Sequence, residues 1–335
     1  MKKFLPDKLS ISTLIHIIMV SIIVIILATI AIKLFLWDNS AEEIPVETID
    51  FNIFDTEPED YYYTVDINAI ENYTDDGELT VVMLGDDSLK DYSDGSGIPA
   101  LVTKSTNATT YTCSFPDMTI ATKNMEFDVT YGYDAFSFYY AALCISKNDY
   151  AFLRDVLPTL PQTDRIADYE SALSTLEAID FNTVDILVIS CGAQDYLKGH
   201  TQVNTLFPEA YISNSYVDSI MQGIDWIRAA YPQIQFVIMS PTFCYYVEED
   251  GSYSNCDVRK TDDNGTLADY MISAKSAAVQ RNATYLDNYW GIDISADNAE
   301  KYLTDSTTYP NATGRKLIAD KLAETINDKI YYTGE

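Results

Sequence analysis

The stretch VDILVISC, Val184–Cys191, is the clearest buried β-strand of the sequence, because it is short, apolar and rich in β-branched residues. A similar run, Leu79–Leu84, ends at Gly85 as a buried strand would. Three further runs predict strands: Thr109–Phe115, Ile234–Met239 and Thr284–Leu286. The segment Tyr61–Ile67 is a possible edge strand.

Segments with helical periodicity separate these strands. Predicted helices cover Ile98–Lys104, Phe136–Ile145, Ala151–Leu157, Ile166–Ile179, Tyr211–Tyr231, Leu267–Gln280 and Thr313–Ile326. Strands that alternate with helices predict a parallel sheet covered on both faces, an α/β fold with a three-layer, doubly wound α/β/α arrangement. Ligands of such folds lie at the carboxyl ends of the strands, so the loops after Leu84, Phe115 and Cys191 are the candidate site.

The chain of 335 residues is strongly acidic, with 51 acidic and 21 basic residues and a formal charge of -30. Such a surface repels phosphate backbones, which argues against nucleic-acid binding. A well-solvated surface accounts for the charge, and attraction to divalent cations or to a basic partner is the alternative.

The N-terminal region predicts a membrane anchor. Leu9–Ile32 carries no formal charge, and a helix of that length spans a hydrocarbon core of ~30 Å. Lys2, Lys3 and Lys8 precede it, so the N-terminus is expected in the cytoplasm and the rest outside. A cleaved signal peptide is the alternative, but the apolar run is longer than such peptides use. We expect single-pass cell-membrane contact through residues 9–37.

Three regions follow from these patterns. Residues 1–38 form the cytoplasmic tip and anchor, residues 39–75 an acidic stalk, and residues 76–335 the α/β domain. Of the five cysteines, Cys244 and Cys256 flank a polar hairpin-like segment and are candidates to pair in an oxidising compartment. The sequence has no CxxC motif and no Cys/His cluster, so we expect neither a metal nor a cofactor.

Three blocks together resemble the SGNH (GDSL-type) hydrolase family, in order and spacing, over about residues 78–330. VVMLGDDSL at Val81–Leu89 resembles its Gly-Asp-Ser block, and VDILVISCGAQDY at Val184–Tyr196 resembles its Gly-x-Asn-Asp block. LTDSTTYPNATGRKLI at Leu303–Ile318 resembles its terminal Asp-x-x-His block. The resemblance implies the flavodoxin-like SGNH fold. It also implies a Ser nucleophile, a His base oriented by an Asp, and amide donors for an oxyanion.

The sequence departs from that chemistry at each position. Asp87 stands where the family has its nucleophile, with Ser88 one residue late, and a displaced hydroxyl is poorly placed for attack. Asp117 falls in the oxyanion turn beside Pro116, which has no N–H. Gln194 replaces the Asn and keeps an amide donor.

The general base is also missing from its place. Asp305 remains, but Thr308 or Tyr309 aligns with the His, and neither is a useful base near neutral pH. The chain has two histidines, His16 in the predicted anchor and His200, which follows the Gly192–Asp195 loop and is an outside candidate.

The sequence is consistent with two main functional hypotheses. The first is a catalytically impaired, membrane-anchored extracytoplasmic protein, which acts as a glycan- or partner-binding accessory in cell-envelope polysaccharide modification. That role rests on similarity to accessory proteins of surface polysaccharide acylation. The second is an active carbohydrate esterase or O-acyltransferase that uses Ser88, with His200 or another base. A third hypothesis is that the domain is a structural spacer.

Overall fold

The structure, a computed structural model, describes Ser21 and residues 59–71, 73–163, 165–207, 210–261, 264–304 and 308–330. Residues 57–335 belong to one compact unit. Within the described ranges, no helix has the length and apolar character needed to cross a membrane. The predicted anchor lies outside these ranges, apart from Ser21.

A five-stranded parallel sheet forms the centre of this unit. Its strands are β1 (Thr80–Gly85), β2 (Thr109–Ser114), β3 (Ile186–Ser190), β4 (Gln235–Met239) and β7 (Thr284–Leu286). They lie in the order β2-β1-β3-β4-β7. The order in which strands are added reverses after β2, since β2 lies on one side of β1 and the later strands lie on the other. This is the doubly wound arrangement that the sequence predicts.

Both faces of the sheet are buried, and β1 shows why. Val82 and Leu84 pack into the larger apolar cluster, while Val81 and Met83 pack into a second cluster on the opposite face. Successive side chains of a strand point to opposite faces, so a strand covered on both sides must be apolar throughout. The continuous apolar run of β1 therefore indicates a central strand.

Helices cover both faces of the sheet. They are α1 (Ile98–Thr106), α2 (Phe138–Lys147), α3 (Ala151–Val156), α4 (Ile166–Ala178), α5 (Gln194–Leu197), α6 (Tyr216–Ala230), α7 (Leu267–Gln280), α8 (Ala299–Tyr302) and α9 (Ala312–Thr325). Helices α1 and α9 contribute to the smaller cluster. Helices α2, α4, α6 and α7 contribute to the larger one. The three-layer α/β/α fold is thereby confirmed.

The helix predicted over Tyr211–Tyr231 begins later, at Tyr216. The side chain of Ser215 accepts a hydrogen bond from the backbone N–H of Asp218 at 3.3 Å, which is the geometry of an N-cap. Ser and Asp compete with a helix for backbone hydrogen bonds and favour caps, which places the helix start at this point.

The predicted edge strand Tyr61–Ile67 is wrong, since only Tyr61 pairs, in an isolated bridge with Tyr285. Side chains replace the expected ladder. The backbone N–H of Val65 donates to Gln235 Oε1 at 2.8 Å, and the N–H of Tyr63 donates to Thr284 Oγ1 at 3.1 Å. These bonds satisfy the backbone without a regular strand.

A small antiparallel hairpin follows the sheet, formed by β5 (Tyr245–Val247) and β6 (Tyr253–Asn255). Cys244 and Cys256 lie at its base with their Sγ atoms 3.3 Å apart, and both are fully buried. The hairpin therefore brings together the two cysteines that the sequence singles out.

Candidate functional site

The tight turn after β1 is built on a buried carboxylate. Asp86 is 1% exposed, and its Oδ1 accepts hydrogen bonds from the backbone N–H of Ser88 at 3.0 Å and from its hydroxyl at 2.6 Å. Burial raises the pKa of Asp86 to about 6. A side chain at Gly192, in the loop after β3, would overlap this carboxylate. The loops after β1 and β3 therefore meet closely at the topological switch point.

Asp87, which the sequence resemblance aligns with the family's nucleophile, is held in an ion pair with Arg165. The guanidinium Nη2 lies 2.6 Å from both carboxylate oxygens of Asp87, and Nη1 lies 2.6 Å from Asp117 Oδ2. Side-chain exposures are 38% for Arg165, 18% for Asp87 and 44% for Asp117. One cation therefore bridges two carboxylates that would otherwise repel each other.

The turn after β2 supplies Asp117 with a positive φ of 50°. In this conformation its backbone N–H donates to Asp87 Oδ2 at 2.9 Å. The loop that the resemblance assigns to the oxyanion thus aims an amide at the nucleophile position. That amide is already bound to a fixed negative charge.

Tyr309 is one of the two residues that the sequence resemblance aligns with the catalytic base. Its hydroxyl accepts a hydrogen bond from Gln194 Nε2 at 2.7 Å and lies 3.1 Å from Asp117 Oδ1 and 3.4 Å from Asp87 Oδ2. Burial, together with the negative charges of Asp86, Asp87 and Asp117, raises the pKa of Tyr309 well above its ordinary value. The phenol therefore stays neutral and acts as a donor toward the carboxylates.

The structure brings together four of the predicted site residues: Asp87, Asp117, Gln194 and Tyr309. Between the two candidates at the base position, Tyr309 faces Asp87. Thr308 and Tyr309 both line a small cavity together with Ser88. Asp305 lies outside the described residues.

Ser88 and His200 are not brought together. The hydroxyl of Ser88 donates to Asp86, and Ser190 Oγ lies 3.3 Å away. The ring of His200 is 6% exposed and has Nδ1 3.2 Å from Asp195 Oδ1. Among the described residues, the hydrogen bonds of Ser88 do not include His200, so the structure does not support that candidate as the base for Ser88.

Sequence patterns gave no sign of Arg165. It lies one residue before α4 and reaches a carboxylate 78 positions earlier in the chain. The available signal is electrostatic. Two acidic residues that converge on one cleft are stabilised by a nearby cation, and this acidic chain has few basic residues that could supply it. Sequence spacing alone does not tell which one.

In this arrangement, the side chains at the candidate nucleophile and base positions are both engaged in hydrogen bonds. A nucleophile needs a lone pair free to attack and a neighbouring base that takes a proton. Asp87 has both oxygens bound to Arg165, and Tyr309 is a neutral phenol that donates. Within the described part of the chain, no imidazole reaches Asp87 or Ser88 by a hydrogen bond.

Removal of the central cation is expected to destabilise the fold. Arg165→Met leaves Asp87 and Asp117 facing each other without a counter-charge. We expect a loss of about 2 kcal/mol, between the values for exposed and buried ion pairs. Urea unfolding at pH 7 measures this loss. Adding Asp87→Asn and Asp117→Asn to the variant should recover most of the stability, because the repulsion disappears.

Arg154→Met is the matched control for this prediction. Arg154 also bridges two carboxylates, those of Glu170 and Glu177, but these side chains lie at the surface. Its removal should cost less than about 1 kcal/mol. An equal cost for both arginine variants would contradict the role of Arg165 as the charge that holds the cleft together.

The folded unit is similar to solved structures of very different sequence. A protein from Lactobacillus plantarum is 12% identical, with a TM-score of 0.50 over 76% of this chain and 99% of that chain. A possible lipase from Chitinophaga pinensis is 14% identical, with a TM-score of 0.47 over 75% and 98% of the two chains. A carbohydrate acetylesterase from Sinorhizobium meliloti is 9% identical, with a TM-score of 0.40 over 75% and 99%.

No protein-family model matches the sequence, and no curated protein matches it. Three observations identify the fold. They are the order of the strands, the meeting of the loops after β1, β2 and β3, and the three sequence blocks. The chain therefore has an SGNH-type hydrolase fold, and four of the residues that the sequence resemblance singles out, Asp87, Asp117, Gln194 and Tyr309, meet in one cleft.

Proposed function

We propose that the protein is a non-hydrolytic, membrane-anchored extracytoplasmic SGNH-like protein that binds a glycan or a partner in cell-envelope polysaccharide modification. One observation supports the proposed absence of hydrolytic activity. The nucleophile position holds Asp87, whose two oxygens are paired with Arg165, and the base position holds the neutral phenol of Tyr309. A cleft held together by these contacts can still bind a ligand by its shape, although it offers no free nucleophile.

The net charge of -30 supports a role at a surface rather than on nucleic acid. A basic patch on an envelope protein would complement it. The predicted anchor through residues 9–37 supports the location outside the cytoplasm. Extraction of membranes with alkaline carbonate should leave the full chain in the pellet, and protease added to intact cells should remove residues 57–335. Recovery of the chain in the soluble cytoplasmic fraction would contradict the proposed location.

Turnover of activated esters tests the non-hydrolytic assignment. The purified full-length chain should hydrolyse 4-nitrophenyl acetate and an acetylated hexose no faster than a protein-free blank. Ser88→Ala should leave both rates unchanged, because no imidazole among the described residues forms a hydrogen bond with Ser88. Turnover that falls in Ser88→Ala would favour the esterase alternative.

One contact favours that alternative. The hydroxyl of Ser88 lies 2.6 Å from Asp86 Oδ1, and a carboxylate with a pKa of about 6 is a stronger base than an ordinary one. The cavity beside them, however, measures about 30 Å³, which leaves room for little more than water. An acyl group needs more space, so Asp86 is better explained as the cap of the turn.

A further inference from the structure

A cavity of about 340 Å³ lies beside the ion pair of Arg165, at the small end of the ~300–1,000 Å³ that ligand pockets occupy. Aromatic rings form much of its wall: Tyr131, Tyr133, Phe136 and Tyr169. The rings of Tyr131 and Tyr133 are 5.6 Å apart at their centroids, and those of Tyr133 and Tyr169 are 6.3 Å apart. Such a wall offers flat apolar faces next to polar groups.

His200 also lines this cavity and has an unused ring nitrogen. The side chain is 6% exposed, and Nδ1 lies 3.2 Å from Asp195 Oδ1. Backbone N–H groups of Ile120 and Ala121 donate to the same carboxylate at 2.7 and 2.9 Å, which fixes its position. Nε2 is buried, and no described residue forms a hydrogen bond with it.

The partner of Nδ1 decides what Nε2 can bind. A carboxylate only accepts hydrogen bonds, so Nδ1, which faces Asp195, carries a proton. In the tautomer with its one proton on Nδ1, Nε2 presents a lone pair. A buried acceptor without a partner costs free energy, and the group that completes it must be a donor such as a hydroxyl.

The charges around the cavity exclude acidic ligands. Asp117 and Asp134 line it together with Arg165 and Lys198. Arg165 is shared by two carboxylates, and the second cation of the lining, Lys198, donates to the backbone carbonyl of Asp117. Asp87, bound to Arg165, and Asp195, behind His200, add two further negative charges. Four carboxylates therefore face two cations, and this net negative charge disfavours a carboxylate or phosphate ligand.

We propose that this cavity binds an uncharged, hydroxyl-bearing ring, a pyranose unit of a glycan. One face of the sugar lies on the tyrosine rings, and one hydroxyl donates to His200 Nε2. Because Nε2 is buried, the His200 ring must shift toward the cavity for this bond to form. The proposal names the ligand class for the glycan-binding role and rests on that proposed function for its source. The volume fits a single ring better than a longer chain, so the site takes a terminal or side-branch sugar.

Saturation-transfer difference NMR on the purified full-length chain tests this, with N-acetylglucosamine, galactose and glucuronate as millimolar probes. We expect ring-proton signals from at least one neutral sugar and none from glucuronate. Tyr133→Ala should weaken binding about tenfold, the loss expected when one stacking ring is removed. His200→Phe should weaken it by a similar factor, since a buried hydrogen bond is lost.

Tyr253→Ala is the matched control, because Tyr253 is an exposed tyrosine on the hairpin and does not line the cavity. It should bind the neutral sugar as the unaltered chain does. Tyr133 is 37% exposed, so its variant is expected to fold even if His200→Phe does not. Circular dichroism melting checks both.

Three results would overturn the proposal: no signal from either neutral sugar, unchanged binding in both Tyr133→Ala and His200→Phe, or stronger binding of glucuronate. Ester turnover dependent on Ser88 would instead refute the non-hydrolytic assignment, and the sugar titration would still report on this cavity. The two failures are therefore distinguishable.

Discussion

Asp86→Asn is expected to raise the free energy of unfolding at pH 7 by about 3 kcal/mol. The carboxyl of Asp86 is buried, and burial raises its pKa from an ordinary 3.8 to about 6. Keeping the charged form inside the fold at pH 7 therefore costs free energy that a neutral amide does not. Both hydrogen bonds from Ser88 end on Oδ1, which the Asn side chain retains as its carbonyl oxygen.

The sign of the pH dependence follows from the direction of the shift. Between pH 4 and pH 6 the folded chain holds a proton on Asp86 that the unfolded chain has released, so this residue lowers stability as the pH rises. The difference between Asp86→Asn and the unaltered chain should be small at pH 4. It should grow up to about pH 6.5 and then level off.

Urea unfolding at a series of pH values measures this difference. The exposed Asp297→Asn serves as the control and should change the unfolding free energy by less than about 0.5 kcal/mol throughout. A gap between Asp86→Asn and the unaltered chain that stays constant from pH 4 to pH 7 would show that the carboxyl is not buried as described. A loss of stability at pH 7 would show the same.

Oxidation of Cys244 and Cys256 is expected to stabilise the chain by about 3 kcal/mol, the value for a loop of this length. Their Sγ atoms are 3.3 Å apart and fully buried, and the hairpin of β5 and β6 already closes the loop between them. Refolding in oxidised glutathione supplies the electron acceptor. The two thiols lose two protons and two electrons, the new S–S bond forms, and the oxidant is reduced to two molecules of glutathione.

Alkylation under denaturing conditions, followed by peptide mass analysis, identifies the bond. Cys244 and Cys256 should be protected after oxidative refolding, while Cys113, Cys144 and Cys191 are alkylated. The stability gain should vanish in Cys256→Ser, whereas Cys113→Ser keeps it. Alkylation of all five cysteines, or a bond that includes one of the other three, would contradict the pairing.

The sheet was predictable because its strands are covered on both faces. A strand such as Ile186–Ser190 must then be apolar throughout, and that pattern is visible without neighbours. The predicted site residues Asp87, Asp117 and Gln194 also meet, because parallel strands bring their carboxyl ends to one edge. Tyr61–Ile67 failed as a strand because side-chain hydrogen bonds took the place of the ladder.

The rest depends on contacts that have no local signature. Arg165 reaches Asp87 across 78 positions of the chain, and nothing near it in sequence distinguishes it from a surface arginine. The wall of the aromatic cavity comes partly from Val129–Phe136, an irregular 3₁₀ segment without a repeating apolar pattern. The comparison of sequence blocks left Thr308 and Tyr309 as alternatives at the base position. Only the position of the Tyr309 phenol in the structure shows which of them contacts Asp87.

Intact-protein mass spectrometry after exposure to a fluorophosphonate probe tests most directly whether the cleft lacks an activated nucleophile. We expect no adduct on the full-length chain at pH 7 under conditions that label a serine esterase completely. A single adduct that is mapped to Ser88 and disappears in Ser88→Ala would contradict it. That result would mean that a base reaches this hydroxyl despite the contacts with Asp86 and Ser190.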